Sequence, residues 1–352
     1  MTDVEEGAGS DPWAGKVPPL PEEAPEDEQL PKAFVRGGAF VLDVPDTPPA
    51  VWGEGGDVLW AEGEALMVAA PQGVGKTTVA HQVVRARLGL QENALGFPVT
   101  EGRRVLLLSM DRPAQARRAA HRIFAKDDRD VLDDRLIVWE GPPPFDLATR
   151  TDILAAMCER AKADTVVLDS LKDAAIGLSD DAVGAGYNRA RQTVLAAGVQ
   201  VLELHHTRKA GANGGEPNTI SDVYGSTWLT SGTGSVISLY GDPGDPIVSF
   251  RHLKQPMNEV GPFQLIHDHP SGTTSVMHTV DLVELVRASG PEGLTALAAA
   301  EALFETKKPS RADKEKARRR LEALTASSVL ARLEPKYPGG SAAYYLAARE
   351  QG

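Results

Sequence analysis

Short apolar runs alternate with helix-compatible stretches through the middle of the chain. The strand-like runs cover residues 105–109, 136–139, 165–168 and 199–204. Between them, helical patterns cover residues 113–125, 148–162 and 181–197. Continuous apolar strands that alternate with helices are typical of a parallel sheet covered on both faces. We therefore predict an α/β fold for the central part of the chain.

The pattern changes after this alternation. Runs 235–240, 247–251 and 263–266 follow one another without helices, and residues 241–246 have the Gly- and Pro-rich composition of a turn. These runs predict antiparallel strands added to the edge of the sheet.

A third pattern begins near residue 280. Three helical stretches, at 281–288, 297–304 and 311–326, precede two strand-like runs at 329–333 and 342–346. Pro338-Gly-Gly340 lies between those two runs and predicts a hairpin. The order indicates a small winged helix-turn-helix domain over residues 279–352, which would bind DNA or mediate oligomerisation.

Charge is distributed unevenly along the 352 residues. The formal net charge is −12, and residues 1–30 contribute −8 of it. The same region is rich in proline, so we expect residues 1–32 to be a disordered acidic tail. The alternative is a segment that competes with DNA for a basic groove or that binds a partner.

Cysteine content and hydropathy indicate the compartment. The single cysteine, Cys158, excludes a disulfide framework within the chain and favours a reducing environment. The chain does not open on a secretory signal pattern, and no apolar run approaches 18 residues. We expect a cytoplasmic protein without a membrane span.

The most specific motif is Ala70-Pro-Gln-Gly-Val-Gly-Lys-Thr-Thr78. An apolar run precedes it and a helix-compatible stretch follows it, which is the context of a phosphate-binding loop. Backbone N–H groups of such a loop and of the following helix converge on an anion. We predict ATP as the ligand, and the predicted binding residues are Gly73, Val74, Gly75, Lys76, Thr77 and Thr78.

Individual residues of this motif have separate predicted roles. Lys76 would reach the β- and γ-phosphates, and Thr77 would bind Mg²⁺ through its hydroxyl. Gly73 and Gly75 allow a close backbone approach that a β-carbon would block. Ala70 occupies the position at which the motif usually begins with glycine.

Two carboxylates follow predicted strands. Asp169 ends the run Thr165-Val-Val-Leu-Asp169 and would hold Mg²⁺ opposite Thr77. Ser170 follows it, so the water-activating acid must come from elsewhere. Asp111, after the neighbouring strand, is the candidate to orient the attacking water. The alternative is that Asp111 caps the helix that begins near Pro113.

Two adjacent histidines follow the strand at 199–204. His205 or His206 would donate a hydrogen bond to the γ-phosphate and so sense its loss. Core packing and metal binding are the alternatives, although adjacent residues of a strand point to opposite sides. A long Gly- and Asn-rich segment, 208–226, follows them, and long loops inside compact domains are usually functional or disordered.

Together these motifs resemble the RecA-like ATPases, and in particular the DnaB and RepA-type hexameric replicative helicases. The resemblance covers about residues 50–268 and depends most on Leu108-Ser-Met-Asp-Arg-Pro113, His205-His-Thr-Arg-Lys209 and Phe250-Arg-His-Leu-Lys254. It implies a RecA-like ATPase domain over residues 33–278 with a mostly parallel sheet and antiparallel edge strands. It also implies a homo-oligomeric ring of about six subunits.

The resemblance assigns further roles to residues. Asp111 matches a catalytic acid that is usually glutamate, and His206 matches the sensor position. Arg208 and Lys209 would begin a pore loop that contacts single-stranded DNA. Arg251 and Lys254 would reach a neighbouring subunit's nucleotide, where a cation neutralises charge that develops on the γ-phosphate. Exposed bases on an edge strand are the alternative for these two residues.

Basic residues are dense between 307 and 320. On the predicted recognition helix they would face duplex DNA, and the candidates are Arg311, Lys314, Arg318 and Arg319. A solvated helix face and a subunit contact are the alternatives.

Three functions follow from these predictions. The first is an ATP-driven motor on single-stranded DNA, a replicative helicase of a plasmid, phage or integrated element. The second is a DNA-bound switch, such as a loader, recombination mediator or regulator. The third is a module that binds ATP without hydrolysing it. Strand displacement separates the first two functions, and ATP turnover separates both from the third.

Overall fold

The computed structural model describes residues 34–208, 216–277, 282–304, 306–327, 329–334 and 341–347. Its strands are β1 (Ala50–Glu54), β2 (Asp57–Ala61), β3 (Ala65–Ala69), β4 (Asn93–Ala94), β5 (Phe97–Pro98), β6 (Val105–Ser109), β7 (Leu136–Glu140), β8 (Thr165–Asp169), β9 (Gln200–His205), β10 (Ser235–Tyr240), β11 (Ile247–Lys254), β12 (Phe263–Asp268), β13 (Thr273–Met277), β14 (Leu294–Thr295), β15 (Leu330–Leu333) and β16 (Ala343–Leu346). Its α-helices are α1 (Gly37–Leu42), α2 (Lys76–Arg87), α3 (Pro113–Ile123), α4 (Arg129–Arg135), α5 (Ile153–Ala161), α6 (Leu171–Ala174), α7 (Asp181–Ala196), α8 (Thr227–Ser231), α9 (Leu282–Ala288), α10 (Ala296–Leu303) and α11 (Arg311–Ala326).

The chain divides into two compact units, Met1–Asp46 and Thr47–Gly352. The described part of the first unit contains α1, whose side chains are exposed. The predicted acidic tail, residues 1–32, lies outside the described residues.

The second unit contains a large mixed sheet. Within the described residues, nine strands follow the order β13-β12-β11-β10-β3-β9-β8-β6-β7. The strands from β10 to β7 are mutually parallel, whereas β11, β12 and β13 extend the sheet antiparallel. The predicted α/β core, a mostly parallel sheet with antiparallel edge strands, is therefore confirmed.

Apolar side chains cover both faces of this sheet. On one face, Val79 and Val83 of α2 join a core with Leu66 and Leu202. On the other face, Leu154 of α5 and Tyr187 and Val194 of α7 pack in a second core. The strands between these layers are buried on both sides, which explains their continuous apolar sequences.

The parallel strands bring their carboxyl ends to one edge. Ala69 of β3 pairs with His205 of β9, and Asp169 of β8 pairs with Leu204 and with Ser109 of β6. Loops that leave these strands are therefore neighbours, although they are far apart in sequence. Ligands of open α/β sheets bind outside this edge.

The C-terminal region has its own small core. Helices α9, α10 and α11 share an apolar core with a three-stranded antiparallel sheet of order β14-β16-β15 in the described part of this region. A capping box starts α11, since Ser310 Oγ accepts from the Asp313 N–H and Asp313 accepts from the Ser310 N–H. Lys316 of α11 binds Glu259 at 2.8 Å, and Arg320 donates to the Gly261 carbonyl at 2.6 Å.

Two predicted elements differ from the structure. The helix predicted at 148–162 begins only at Ile153. Asp146 holds the preceding segment in turns, since its carboxylate accepts from the N–H groups of Ala148 and Ile176. Strand β13 was not predicted, because its sequence, Thr-Thr-Ser-Val-Met, is largely polar.

A buried ion pair links α7 to β9. Arg191 of α7 contacts both carboxylate oxygens of Glu203 on β9, at 2.7 and 2.9 Å, and both side chains are fully buried. Glu203→Gln should lower the free energy of unfolding by about 3–5 kcal/mol, because it leaves a buried guanidinium without its counter-charge. Urea unfolding followed by circular dichroism measures this change.

Glu140→Gln is the matched control. It removes the exposed pair between Glu140 and Arg117, and should change the free energy of unfolding by less than about 1 kcal/mol. Equal effects of the two variants would contradict the energetic role of the buried pair.

Candidate nucleotide-binding site

The turn between β3 and α2 has the backbone geometry of a phosphate-binding loop. Gly73 and Gly75 have φ angles of +82° and +98°, a region that favours glycine. A Cβ at Gly73 would lie 2.9 Å from Pro243, and one at Gly75 would overlap the ring of His267. The turn after β10 and the end of β12 therefore enclose this loop so closely that larger residues do not fit.

Lys76 lies across this turn. Its Nζ donates to the carbonyls of Ala70 and Pro71, both at 2.9 Å. Burial lowers the pKa of Lys76 to about 8, although the nearby Asp169 carboxylate opposes this shift. The ammonium group is held inside the loop, where it can contact phosphate oxygens.

Thr77 and Asp169 meet at the end of β8. The Thr77 hydroxyl donates to Asp169 Oδ2 at 3.0 Å. Burial raises the pKa of the Asp169 carboxyl, while the Thr77 hydrogen bond and Lys76 favour its charged form. A hydroxyl and a carboxylate are oxygen ligands of the type that Mg²⁺ prefers, so this pair fits the predicted metal role.

Asp111 lies beside this pair. It forms ion pairs with Arg112 at 3.2 Å and with Lys172 at 3.5 Å, and it lines the same pocket. Helix α3 has Arg112 as its N-cap residue and no side-chain capping bond. The alternative prediction, that Asp111 caps this helix, is therefore wrong.

The adjacent histidines have different surroundings. His205 is fully buried, and its Nε2 lies 2.7 Å from the Tyr224 carbonyl. His206 lines the pocket. Burial, with a further effect of the positive charges of Lys76 and Lys172, lowers the pKa of His206 to about 4. At neutral pH its imidazole is uncharged and carries one N–H, which has the Ala70 backbone carbonyl as a partner.

These side chains border a cavity of about 660 Å³, within the range of about 300–1,000 Å³ usual for small-molecule sites. Several walls of the cavity were not predicted, and they come from the start and body of α3, the turn after β10, the end of β12 and the turn that follows it. These residues include Arg112, Gln115, Arg122, Pro243, His267 and His269. The Gly- and Pro-rich composition of residues 241–246 was the one signal for the turn after β10.

Arg251 and Lys254 are engaged elsewhere in the chain. Arg251 Nε binds Glu216 at 2.9 Å. Lys254 Nζ contacts the carbonyls of Thr230 and Ser231, at 3.1 and 3.0 Å, at the end of α8. Neither side chain lines the cavity of its own chain.

The predicted DNA-binding residues are distributed over two regions. Arg208 is exposed just after β9, and Lys209 lies outside the described residues. Arg311, Lys314, Arg318 and Arg319 are exposed on α11. Arg318 pairs with Glu315 and Glu322, and Arg319 also pairs with Glu315, so part of this positive charge is balanced within the helix.

A family described as an AAA domain, AAA_25, matches residues 31–212, just over half of the chain. The chain belongs to this family. This match, together with the loop at residues 70–78 and the mostly parallel sheet, supports a RecA-like P-loop ATPase domain. The prediction of a RecA-like P-loop ATPase is thus confirmed, while the assignment to the DnaB and RepA branch remains a prediction.

A crystal structure of the RadB recombinase aligns over 63% of this chain and 94% of its own, with 15% identity and a TM-score of 0.44. No curated protein sequence matches the chain. Among the described residues, no helix has the length and apolarity to cross a membrane.

Asp169→Asn tests the proposed metal position. The variant should lose the Mg²⁺-dependent part of ATP affinity, about tenfold or more, because an amide replaces a charged ligand. Titration of the protein with a fluorescent ATP analogue, once in Mg²⁺ and once in EDTA, measures the affinity with and without the metal.

Asp173→Asn is the control for this substitution. Asp173 accepts a hydrogen bond from Ser170 but does not line the cavity, so this variant should bind the nucleotide as the wild type does. Equal Mg²⁺ dependence in the wild type and in the Asp169 variant would contradict the assignment.

Proposed function

We propose that this AAA-domain protein hydrolyses ATP and acts on single-stranded DNA, as a replicative helicase of a plasmid, phage or integrated element. The observation that carries the proposal is the convergence of Lys76, Thr77 and Asp169 with Asp111 and His206 around one cavity. These residues supply anion binding, metal binding, water orientation and a neutral hydrogen-bond donor.

In the proposed reaction, the backbone N–H groups of the loop and Lys76 bind the β- and γ-phosphates. Mg²⁺, held by Thr77 and Asp169, would neutralise charge on the phosphate oxygens. Asp111 orients the attacking water, and its contacts with Arg112 and Lys172 fix its position. Neutral His206 would exchange its hydrogen bond with the Ala70 carbonyl for one to the γ-phosphate, and would lose the phosphate partner after hydrolysis.

The path from nucleotide to DNA begins at β9. Its last residue, His205, is followed by His206 and Thr207, and then by Arg208 and the segment that contains Lys209. Loss of a hydrogen bond at His206 would therefore shift the segment that we propose contacts single-stranded DNA. Arg208 would bind phosphate groups of the strand, and such contacts weaken steeply with salt.

We further propose a homo-oligomeric ring of about six subunits. Arg251 and Lys254 would then reach the nucleotide of a neighbouring subunit, after leaving Glu216 and the carbonyls at the end of α8. The C-terminal helices and sheet would form a winged-helix domain, and the exposed bases of α11 would bind duplex DNA.

The contacts of Arg251 and Lys254 favour a second candidate, an ATP-dependent DNA-bound switch without unwinding activity. Within the single chain, both side chains already have partners, Glu216 for Arg251 and backbone carbonyls for Lys254. In addition, Asp111 is one methylene shorter than the glutamate that the resemblance implies. A protein that hydrolyses ATP slowly and changes state on assembly fits these features.

Asp111→Asn tests the catalytic assignment. ATP turnover with an unstructured oligonucleotide such as poly(dT) should fall by about 10²–10⁴-fold, because the amide cannot accept the proton of the attacking water. Affinity for ATP should stay near that of the wild type, and Asp111→Glu should retain turnover. Unchanged turnover in the Asn variant would contradict the role of Asp111.

The same assays on the wild type discriminate between the candidate functions. Turnover that DNA stimulates, together with strand displacement on a forked duplex, supports the helicase. Stimulated turnover without displacement supports the switch. Absence of ATP turnover would contradict both proposals.

A further inference from the structure

The antiparallel hairpin β12–β13 contacts the phosphate-binding loop through one buried histidine. His267, near the end of β12, is 6% exposed. Its Nε2 lies 3.1 Å from the Val74 carbonyl, and its Nδ1 lies 2.7 Å from Thr274 Oγ1 on β13. The ring thus links the loop to a strand that begins about 200 residues later in the sequence.

Thr274 is itself fixed to the helix that follows the loop. Its carbonyl accepts from Gln82 Nε2 at 3.0 Å, and its N–H donates to Gln82 Oε1 at 3.1 Å. Gln82 belongs to α2, whose first residues are Lys76 and Thr77. The hairpin therefore contacts the nucleotide loop and its helix at the same time.

The contact of His267 with the Val74 carbonyl also determines the direction of the Gly75 N–H. A trans peptide is planar, and its C=O and N–H point in opposite directions. When the Val74 carbonyl points to His267, the N–H of Gly75 must point away from the ring. N–H groups of this kind of loop bind phosphate oxygens, so the direction of this peptide decides whether Gly75 contributes a donor.

The close contact at Gly75 leaves little freedom to this peptide. A Cβ on Gly75 would overlap the imidazole, so the ring lies against the glycine backbone. Gly75, with φ at +98°, has no β-carbon to restrict rotation of this peptide. Contact with the ring therefore restricts a rotation that glycine alone would allow.

We propose that His267 is a positioning residue for the triphosphate, which holds the Val74–Gly75 peptide so that the Gly75 N–H faces the phosphates. This inference rests on the proposed function, because it requires that the loop binds ATP. The neutral imidazole donates from Nε2 to Val74 and accepts at Nδ1 from the Thr274 hydroxyl. Burial lowers the pKa of His267, which favours this uncharged form.

Thr274 selects the tautomer in this arrangement. The hydrogen bond at one ring nitrogen determines which nitrogen carries the proton. Without the hydroxyl, either ring nitrogen could carry the proton, and the hydrogen bond to the Val74 carbonyl would weaken. Thr274→Val keeps the shape of the residue and the backbone contacts with Gln82, so it probes the hydroxyl with little effect on packing.

The test compares nucleotide affinity, KM and kcat for ATP, and thermal stability of the full chain. His267→Ala should raise the Kd for a fluorescent ATP analogue and the KM about tenfold or more, because two hydrogen bonds and the peptide orientation are lost. His267→Gln, which can still donate to Val74, should recover the affinity to within about threefold of the wild type. Thr274→Val should raise the Kd about three- to tenfold, and Thr274→Ser should restore it.

His252→Ala is the matched control. His252 is also buried, and its Nε2 lies 2.8 Å from Ser235 Oγ, but it does not contact the loop. It should lower the midpoint of thermal unfolding as much as His267→Ala does, with a change in Kd below about threefold.

The outcomes separate the two proposals. Unchanged Kd in His267→Ala and Thr274→Val, with an ATP-binding wild type, would overturn the role of His267 and leave the proposed function intact. An equal loss of affinity in His252→Ala would show a general effect of stability and would also overturn it. A wild type that binds no ATP would overturn the proposed function and the inference together.

Discussion

A phosphate-binding loop must keep several backbone N–H groups free of partners within the protein and still hold them in fixed directions. The loop between β3 and α2 meets this requirement with two glycines at positive φ, Gly73 and Gly75. Glycine permits the conformation but does not enforce it. The surrounding side chains, Pro243 against Gly73 and His267 against Gly75, supply the constraint, and the rest of the site is arranged around it.

The order of the sheet explains why chemistry concentrates at this loop. Strand β9 lies between β3 and β8, so His206 follows a strand that neighbours both the phosphate loop and Asp169. The buried pair of Arg191 and Glu203 anchors this strand to α7. His206, the proposed donor to the γ-phosphate, thus directly follows a strand that a buried ion pair anchors, and Arg208 comes two residues later.

Local patterns in the sequence predicted much of this site. The apolar strands, the loop at residues 70–78 and Asp169 are each defined within a few residues, so the pattern is sufficient to place them. The walls of the cavity depend on contacts between distant segments. His267 contacts Val74 only because the antiparallel strands return to the edge of the sheet, and β13 has too few apolar residues to be visible as a strand.

The roles of charged residues were the hardest to predict for the same reason. The sequence shows that Arg251, Lys254 and the bases of α11 are cations, but not which carbonyls or carboxylates lie beside them. Lys316 and Arg320 contact the ATPase core through Glu259 and Gly261, so a helix that is dense in positive charge uses part of it within the chain.

The central claim is that one Mg²⁺-dependent ATP site exists on each chain, with Lys76 at its centre. Isothermal titration calorimetry of the full chain with ATP and Mg²⁺ measures this most directly. The account predicts one site per chain in the wild type and its loss in Lys76→Ala. Absence of binding in the wild type, or equal binding in the variant, would contradict it.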